Sequence, residues 1–473
     1  MITEIKEYIN NLAISFGAKI GLESGNSYIE RKNISEEALK SKGAYFGFVE
    51  PEEGNSGPYH DFSLVIFPSQ NNRHWVISLG VGSLGFKNDY ELSTYPGVRR
   101  LFSKLITENG FCKSDFSDIE TSLPKSFIGR DDLALIKDSL LMYSKVLPAC
   151  EIIDDPSSEK GRQIIVAFVA AYAQLRNWAS NKAQRKNVAD ALAPFSKAKL
   201  VNHTNEISQL LNNRKFVVIQ GPPGTGKTRT AKEIAQQLYG EVFFTQFHAE
   251  TAYSDFIYGI RPDTAKESLV YKDSYGVFYK ALKFAIDNKA KRVILIIDEL
   301  NRANLANVFG PIFYLFEHKM ESSSIEIEVA PGLIVNHIPN NLYVISTMNT
   351  ADRSLAVVDF ALRRRFAWYS LPPQPIIGKE KNGIVAIDDS NSFYLEDFEA
   401  IARIFEWYGM SEELTLQPGQ GYFIASNEDE IINRIRYEIY PLIKEYLQEG
   451  IMRSAKEELN TYFINRIKQS LFD

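Results

Sequence analysis

The sequence predicts an α/β fold, built around a parallel sheet with a small helical lid and preceded by an α+β domain and a helical connector. Two observations predict it. After residue 214, continuous apolar runs alternate with helical patterns, as in parallel sheets that are covered on both faces. Before that point, short apolar runs between turn residues give way to apolar spacings of three and four. A chain of 473 residues is long enough for two or three domains.

The amino-terminal part is predicted to be a small α+β domain followed by a connector. A helix is expected near Pro96–Ile106. Helical spacing from Arg130 to Ala193, broken by the polar stretch at 154–161, predicts the connector. The predicted strands are AYFGFVEP (44–51), DFSLVIFPS (61–69) and HWVISLGVGSLG (74–85).

Five strands are predicted for the parallel sheet, and helical patterns after a polar linker at 372–383 predict the lid. The strands are FVVIQ (216–220), VFFTQF (242–247), VILIID (293–298), LYVIST (342–347) and FAWYSL (366–371). The predicted domains are 1–125 (α+β), 126–195 (connector), 196–375 (large α/β domain) and 376–473 (lid).

Charge limits the class of partner. Lys and Arg number 53 against 59 Asp and Glu, and the formal charge of −6 gives no chain-wide attraction to nucleic acid. Two interpretations are open for a local basic stretch: contact with phosphate, or a solvated helix face, which is the more common case. The stretch 161–200 holds one Asp and the basic residues Arg162, Arg176, Lys182, Arg185, Lys186, Lys197 and Lys199.

Cysteine and histidine usage gives no sign of a disulfide framework or a zinc site. Cys112 and Cys150 are the two cysteines, and six histidines show no metal-ligand spacing. A reducing, cytoplasmic setting is therefore expected. No apolar run approaches the roughly eighteen residues of a membrane span, so we expect no membrane partner.

The stretch GPPGTGKT at 221–228 fills the fixed positions of GxxxxGK[ST] between a predicted strand and a predicted helix. Such a loop turns its N–H groups toward phosphate, and the helix N-terminus adds partial positive charge. Lys227 is expected to pair with the β- and γ-phosphate oxygens, and Thr228 to ligate Mg²⁺. The predicted phosphate-binding residues are Gly221, Pro222, Pro223, Gly224, Thr225, Gly226, Lys227 and Thr228.

Two carboxylates and an amide are predicted at the same edge of the sheet. Asp298 and Glu299 end a buried run, and Asn349 follows the next strand along the chain. Ligands bind at the carboxyl ends of strands in open α/β sheets. We expect Asp298 to hold Mg²⁺, Glu299 to polarise the attacking water and Asn349 to position that water.

Three adjacent arginines, Arg363, Arg364 and Arg365, end a helix-compatible stretch before the last predicted strand. A guanidinium keeps its charge beside phosphate, and an arginine from a neighbouring subunit often completes a nucleotide site. A lone basic triplet is usually solvated. Beside a phosphate loop we favour fingers that act in trans, which predicts an oligomer.

Taken together, these motifs resemble the McrB-type AAA+ NTPases, motor subunits of modification-dependent restriction systems. The resemblance covers roughly residues 214–371, and MNTADRSLAVVDFALRRRF at 348–366 is its most specific part. Other matching strings are GPPGTGKT, QFHAETAYSDFIYGIRPD, IIDELNRANLANVFG and LFEHK. In the lid, GQGYF at 419–423 resembles a family block in which a basic residue or His stands where this chain has Gln420.

The resemblance implies an AAA+ P-loop NTPase that needs Mg²⁺ and GTP or ATP, with GTP favoured. No guanine-specific motif is visible in the residues themselves. It also implies that Asn349 and Asp352 position water and that Arg364 or Arg365 is the finger in trans. The implied partners are a McrC-type nuclease subunit, double-stranded DNA with or without modified bases, and copies of the same chain in a hexameric ring.

In this family the amino-terminal domain selects the DNA, so we assign recognition to residues 1–125. Aromatic rings there are candidates for stacking on a base, although core packing is the more common role of each. The candidates are Tyr45, Phe46, Tyr59, His60, His74 and Trp75.

Three functions are compatible with the sequence. The first is a motor of an anti-phage restriction complex that couples DNA recognition to translocation and to cleavage by a separate nuclease subunit. The second is a protein-remodelling chaperone similar to the MoxR group. The third is a nucleotide-gated binding module with slow turnover.

Overall fold

The structure, a computed structural model, describes residues 1–20, 27–41, 43–49, 61–82, 84–195, 202–263, 270–317, 325–351 and 360–472. It divides into two compact units, here called unit 1 and unit 2. Unit 1 comprises Met1–Leu200 with Glu406–Tyr408, and unit 2 comprises Val201–Phe405 with Gly409–Asp473.

Unit 1 is built on a mixed sheet. Its strands are β1 (Lys19–Ile20), β2 (Ser27–Asn33), β3 (Tyr45–Val49), β4 (Ser63–Phe67), β5 (Trp75–Gly80), β6 (Phe111–Cys112) and β7 (Ala149–Ile153). They pair in the order β1-β2-β3-β4-β5-β7-β6, with β1 and β2 parallel and the other pairs antiparallel. The predicted strands of the α+β domain correspond to β3, β4 and β5.

Helices cover both faces of this sheet. They are α1 (Ile2–Ser15), α2 (Glu36–Lys40), α3 (Tyr90–Thr94), α4 (Pro96–Ser103), α5 (Lys125–Ile128), α6 (Lys137–Met142), α7 (Glu159–Leu175) and α8 (Lys182–Leu192), with 3₁₀ turns at Asp131–Leu133 and Ala193–Phe195. Along β5, Ile77 and Leu79 face the core formed with α1, α4 and α7, while Val76 faces the core formed with α5 and α6. Period-two side-chain alternation between two apolar layers explains why β4 and β5 are buried throughout.

The predicted connector shares this core. Residues 126–195 contain β7, which pairs with β5 in the sheet, and α7, whose side chains are buried along most of its length. The structure therefore joins the two predicted amino-terminal segments in one unit. The helical pattern predicted for this region includes the segment Ala149–Ile153, but Pro148 before it and the polar turn after it delimit a short strand.

Both cysteines lie in unit 1 as free thiols. Burial raises the pKa of the Cys112 thiol to about 11 and that of Cys150 to about 12, so both remain protonated at neutral pH. Within the described residues, no group of three or more His, Cys, Asp or Glu side chains is arranged to hold a metal ion. Among the helices of the described residues in both units, none combines the length and the apolar character needed to cross a membrane.

Unit 2 is built on a five-stranded parallel sheet with smaller antiparallel sheets beside it. Its strands are β8 (Phe216–Gly221), β9 (Glu241–Gln246), β10 (Tyr258–Pro262), β11 (Tyr271–Tyr275), β12 (Val293–Asp298), β13 (Ile327–Ala330), β14 (Leu333–Val335), β15 (Leu342–Asn349), β16 (Ala367–Ser370), β17 (Glu380–Lys381), β18 (Ile384–Ala386), β19 (Ser392–Tyr394) and β20 (Ile424–Ala425). The parallel sheet has the order β16-β8-β15-β12-β9, which confirms the predicted fold class.

The helices of unit 2 follow the predicted alternation. They are α9 (His203–Arg214), α10 (Lys227–Gln237), α11 (Tyr253–Phe256), α12 (Val277–Asp287), α13 (Leu305–Phe309), α14 (Phe360–Arg365), α15 (Leu395–Tyr408), α16 (Glu428–Arg434), α17 (Tyr440–Gln448) and α18 (Lys456–Ile467). A π-helical turn spans Ile435–Ile439, and 3₁₀ turns lie at Leu300–Arg302, Gly310–Phe316, Glu413–Leu416, Gln420–Phe423 and Arg453–Ala455.

Two apolar layers sandwich the parallel sheet. In β12, Leu295 and Ile297 pack on the layer that includes α12, whereas Ile294 and Ile296 pack on the layer formed with α9 and α10. Burial on both faces leaves β12 with a polar side chain only at its last residue, Asp298. Three features were not predicted: the hairpins β10–β11 and β13–β14, and the small antiparallel sheet β17–β20 within the lid segment.

Candidate functional site

The predicted site residues meet at the carboxyl edge of the parallel sheet. Asn349, the last residue of β15, pairs with Gly221, the last residue of β8. Asp298 is the last residue of β12. Strand β15 lies between β8 and β12 and pairs with both. Parallel register therefore places the start of the phosphate loop next to the predicted amide and carboxylates.

The loop after β8 depends on glycine at the points where its backbone turns. Gly224 and Gly226 have φ of +79° and +83°, in the left-handed region that residues with a Cβ rarely adopt. At Gly221 a Cβ would lie 2.4 Å from the carbonyl oxygen of Leu371. The loop then enters α10 at Lys227, so the first turn of a helix faces the loop interior.

Lys227 is buried and its ammonium lies inside the loop. Its Nζ donates to the carbonyl oxygens of Gly221 at 2.9 Å and Pro222 at 2.8 Å. The Gly221 carbonyl also accepts from the Thr350 N–H, and the Pro222 carbonyl from the Thr225 hydroxyl. These bonds hold a positive charge at the centre of the loop, where phosphate oxygens are expected to lie.

Thr228 and Asp298 form the predicted metal pair. The Thr228 hydroxyl donates to Asp298 Oδ1 at 2.7 Å, and the Thr347 hydroxyl donates to the same oxygen at 2.5 Å. A hydroxyl and a carboxylate in contact are hard oxygen donors of the type that Mg²⁺ prefers. The donor set therefore fits a magnesium ion bound by one carboxylate, one hydroxyl and substrate phosphates.

Glu299 adopts an unusual backbone conformation. Its φ of 54° and ψ of 49° lie in the left-handed region, which costs a residue with a Cβ about 1–3 kcal/mol. Local bonds hold it: the Glu299 N–H donates to the Thr347 hydroxyl at 3.1 Å, and its carbonyl accepts from the Arg302 N–H. Glu299 Oε2 lies 3.3 Å from Arg302 Nε, so the carboxylate is oriented by a neighbouring cation.

Asn349 is held by a second amide. The backbone carbonyl oxygen of Asn349 accepts from Asn301 Nδ2 at 3.2 Å. The side-chain Oδ1 of Asn349 accepts from the Ala351 N–H at 3.2 Å. Asn301 is buried, with 4% of its surface exposed. Asp352, the other predicted water-positioning residue, lies outside the described residues.

The three arginines differ in their surroundings. The Arg365 side chain is 8% exposed, lies 2.5 Å from Glu317 Oε1 and stacks over the Phe313 ring at 4.3 Å. The Arg364 side chain is 66% exposed and reaches the same Glu317 oxygen at 2.6 Å. Arg363 is exposed and lies over the Trp368 ring. Of the two predicted fingers, Arg364 is thus the accessible one.

Two polar residues at the site had not been predicted, Thr347 and Asn301. Thr347 is 1% exposed and bridges Asp298 and the Glu299 backbone. The available signal was a hydroxyl side chain near the carboxyl end of a largely apolar strand. Asn301 belongs to a polar segment directly after the two carboxylates, but its bond to a residue 48 positions away has no local signature.

Gln420, in the lid block, also reaches the phosphate loop. Its Nε2 donates to the Thr225 carbonyl at 3.0 Å, and its Oε1 accepts from the Gln374 N–H at 3.3 Å. The lid block is therefore in direct contact with the loop.

Comparison with known proteins agrees with this geometry. Residues 216–366, from the start of β8 to the residue after α14, match the family described as the AAA domain of the dynein-related subfamily. The match contains the phosphate loop, both carboxylates, Asn349 and the arginine cluster.

Two curated relatives belong to restriction enzymes. The chain is 35% identical over 270 residues to the EcoKMcrB subunit of a type IV methyl-directed restriction enzyme from Escherichia coli (strain K12), covering 53% of this chain and 58% of the relative. It is 27% identical over 222 residues to the YdiS component of the type II restriction enzyme BsuMI from Bacillus subtilis (strain 168), covering 39% and 64%. The matches thus span less than two thirds of the length of either relative.

Replacing Thr347 with Val should disturb the site without disturbing the sheet. The isosteric side chain removes the hydroxyl that orients Asp298 and satisfies the Glu299 N–H. We expect nucleotide turnover to fall by about 10- to 100-fold and the Mg²⁺ concentration for half-maximal turnover to rise. A Thr415→Val control removes a hydroxyl bonded only within its own lid turn and should leave both values unchanged. Wild-type turnover and Mg²⁺ dependence in Thr347→Val would contradict the assignment.

Proposed function

We propose that the chain carries an AAA+ NTPase domain of the McrB type and that it is the nucleotide-hydrolysing motor subunit of a modification-dependent, anti-phage restriction complex. In this proposal, DNA recognition by unit 1 is coupled to DNA translocation and to cleavage by a separate, McrC-type nuclease subunit. The observation that carries the proposal is the meeting of Lys227, Thr228, Asp298, Glu299 and Asn349 at one edge of the sheet.

Each of these residues has a chemical role in the proposal. Lys227 and the loop amides bind the phosphates, while Thr228 and Asp298 hold Mg²⁺, which when bound neutralises charge on the phosphate oxygens. Glu299 orients and polarises the attacking water, and Asn349 positions it. Phosphoryl transfer depends mainly on positioning and charge stabilisation, which these groups supply.

We propose GTP as the nucleotide and keep ATP as the alternative to be tested. The resemblance of the motifs to McrB-type NTPases favours GTP, whereas the contacts within the phosphate loop concern phosphates only and do not distinguish the two bases. Turnover with each nucleotide separates them.

Arg364 is our candidate for a finger that completes the site of the next subunit. Its exposure permits it to reach another chain, while Arg365 is enclosed by Glu317 and Phe313. A finger in trans requires a neighbouring subunit, and we propose that six subunits form a closed ring. It also makes hydrolysis dependent on assembly.

The basic residues that are candidates for DNA contact differ in how exposed their side chains are. Arg176 is buried against Asp89 at 2.8 Å, and Arg162 lies over the Tyr8 ring. On α8, by contrast, Arg185 and Lys186 are exposed and adjacent, and no carboxylate stands in the first turn. The first half of α8 thus carries the exposed cations Lys182, Arg185 and Lys186 and no carboxylate. We propose that this face of α8 contacts DNA phosphates.

The first test replaces Glu299 with Gln. Loss of the carboxylate should lower GTP or ATP hydrolysis by at least about 100-fold while nucleotide binding is retained. Phosphate release should be measured side by side with both nucleotides, with and without the nuclease subunit and methylated DNA. Glu241→Gln, an exposed position on β9, is the matched control. DNA-independent turnover that responds to a protein substrate would instead support the MoxR-like alternative.

The second test separates the two arginines. Arg364→Ala should lower turnover by about 100-fold or more without changing the unfolding temperature, because the side chain is exposed. Arg365→Ala should lower the unfolding temperature, because it removes a buried cation from Glu317 and Phe313.

A mixture of Lys227→Ala and Arg364→Ala subunits should regain some turnover at interfaces that pair an intact loop with an intact finger. No recovery would contradict action in trans.

The third test concerns α8. Arg185→Glu with Lys186→Glu should weaken DNA binding and reduce the slope of log K against log salt by about 0.9 for each lost phosphate contact. Lys125→Glu with Lys137→Glu makes the same charge change in α5 and α6, which cover the opposite face of the sheet, and should leave the slope unchanged. If the slope of log K against log salt were equal for the two double variants, the proposed contact between α8 and DNA would be excluded.

A further inference from the structure

We propose that residues Gly419–Phe423, the lid block, are a positioning element for the phosphate loop, and that Gln420 is its positioning side chain. The lid block would hold the loop in the conformation that binds nucleotide phosphates. This inference rests on the proposed function, since it assigns a role in nucleotide binding to a segment outside the matched AAA domain.

The carbonyl groups of the loop supply the main observation. Those of Gly221 and Pro222 accept from Lys227, as described above. The next three accept from the lid block: Pro223 O from the Gly419 N–H at 2.9 Å, Gly224 O from the Gly421 N–H at 2.8 Å, and Thr225 O from Gln420 Nε2 at 3.0 Å. Five consecutive carbonyls are thus bonded to groups of the protein.

This pattern fixes the direction of the peptide planes. The peptide group is planar and nearly always trans, so its carbonyl and its N–H point in opposite directions. Carbonyls held toward the lid block therefore hold the following N–H groups away from it. Preorganised N–H groups bind an anion without first having to reorient.

Close backbone contact explains the residue types in the lid block. A Cβ on Gly419 would lie 2.2 Å from the Gly224 carbonyl carbon, and a Cβ on Gly421 would lie 2.8 Å from the Gly224 oxygen. The Tyr422 ring lies against Gly224 on the same side. Side chains at 419 or 421 would force the two backbones apart, so this contact requires glycine at both positions.

The lid block is itself anchored in the lid. Arg434 Nη1 donates to the Gly421 carbonyl at 3.0 Å and also bonds to the Ile424 carbonyl. Phe423 is fully buried and packs edge-on against Phe398 with ring centroids 5.5 Å apart. A displacement of the lid would therefore be transmitted directly to the phosphate loop.

Gln420 suits this position because it both donates and accepts. Its amide donates to Thr225 O and accepts from the Gln374 N–H. A glutamate has no donor and would bring a negative charge against the Thr225 carbonyl. A histidine ring keeps an N–H donor, which fits the basic residue or His that stands in the similar family block.

The experiment compares Gln420→Ala, Gln420→Glu and Gln420→His with the exposed lid control Gln448→Ala. The readouts are the Kd of fluorescent, non-hydrolysable GTP and ATP analogues, KM, kcat and the unfolding temperature. Gln420→Ala should raise Kd and KM about tenfold, the equivalent of one hydrogen bond, with kcat within about twofold. Gln420→Glu should raise them further, and Gln420→His should restore values near the wild type. Gly421→Ala should also raise Kd.

Two outcomes would overturn the inference. One is an unchanged Kd in Gln420→Ala and Gln420→Glu, whatever the unfolding temperature, because a merely structural role changes stability and leaves affinity intact. The other is a fall in kcat with an unchanged Kd, which would indicate a role in chemistry. If the wild type binds the analogues but hydrolyses neither GTP nor ATP, the proposed function fails, while the Kd series still decides the role of Gln420.

Discussion

A loop that binds phosphate through its backbone N–H groups must direct its carbonyl groups away from the phosphate. Much of unit 2 is organised by this requirement. Each carbonyl from Gly221 to Thr225 has a donor, supplied by Lys227, by Thr350 directly after β15 or by the lid block. The donors come from segments far apart in the sequence. The parallel sheet brings the end of β15 beside the loop, and the lid closes the remaining side.

The same sheet edge also concentrates negative charge beside the phosphate loop. Asp298 and Glu299 are adjacent carboxylates that would repel each other and an incoming nucleotide if nothing compensated them. The structure provides compensation separately for each. Asp298 accepts two hydroxyl hydrogen bonds, and Glu299 faces Arg302. This separation of environments supports the proposed division of roles, in which Asp298 holds a metal ion and Glu299 orients water.

The strands, the phosphate loop and its carboxylates could be predicted because their signals are local. VILIID is a buried run that ends in acid, and GPPGTGKT has fixed spacing. Other features rest on contacts without a local pattern. Glu317 lies 47 residues from Arg364 and pairs with both Arg364 and Arg365, while the Phe313 ring lies over Arg365. Strand β7 resembled an extension of a helical pattern, because a segment of five residues with Glu151 at its centre is too short to show a distinctive apolar period. The short strands of the lid were missed for the same reason.

The contact between the lid block and the phosphate loop has a consequence for how the chain can be divided. Gln420 and Thr225 are 195 residues apart, and the region that matches the AAA domain family ends at residue 366. A fragment with those bounds contains every residue of the predicted catalytic set but lacks the donors for three loop carbonyls. During synthesis, likewise, the loop acquires these partners only after the lid block has been made. The functional unit of this domain therefore extends at least to residue 423, and a fragment intended to bind nucleotide should include it.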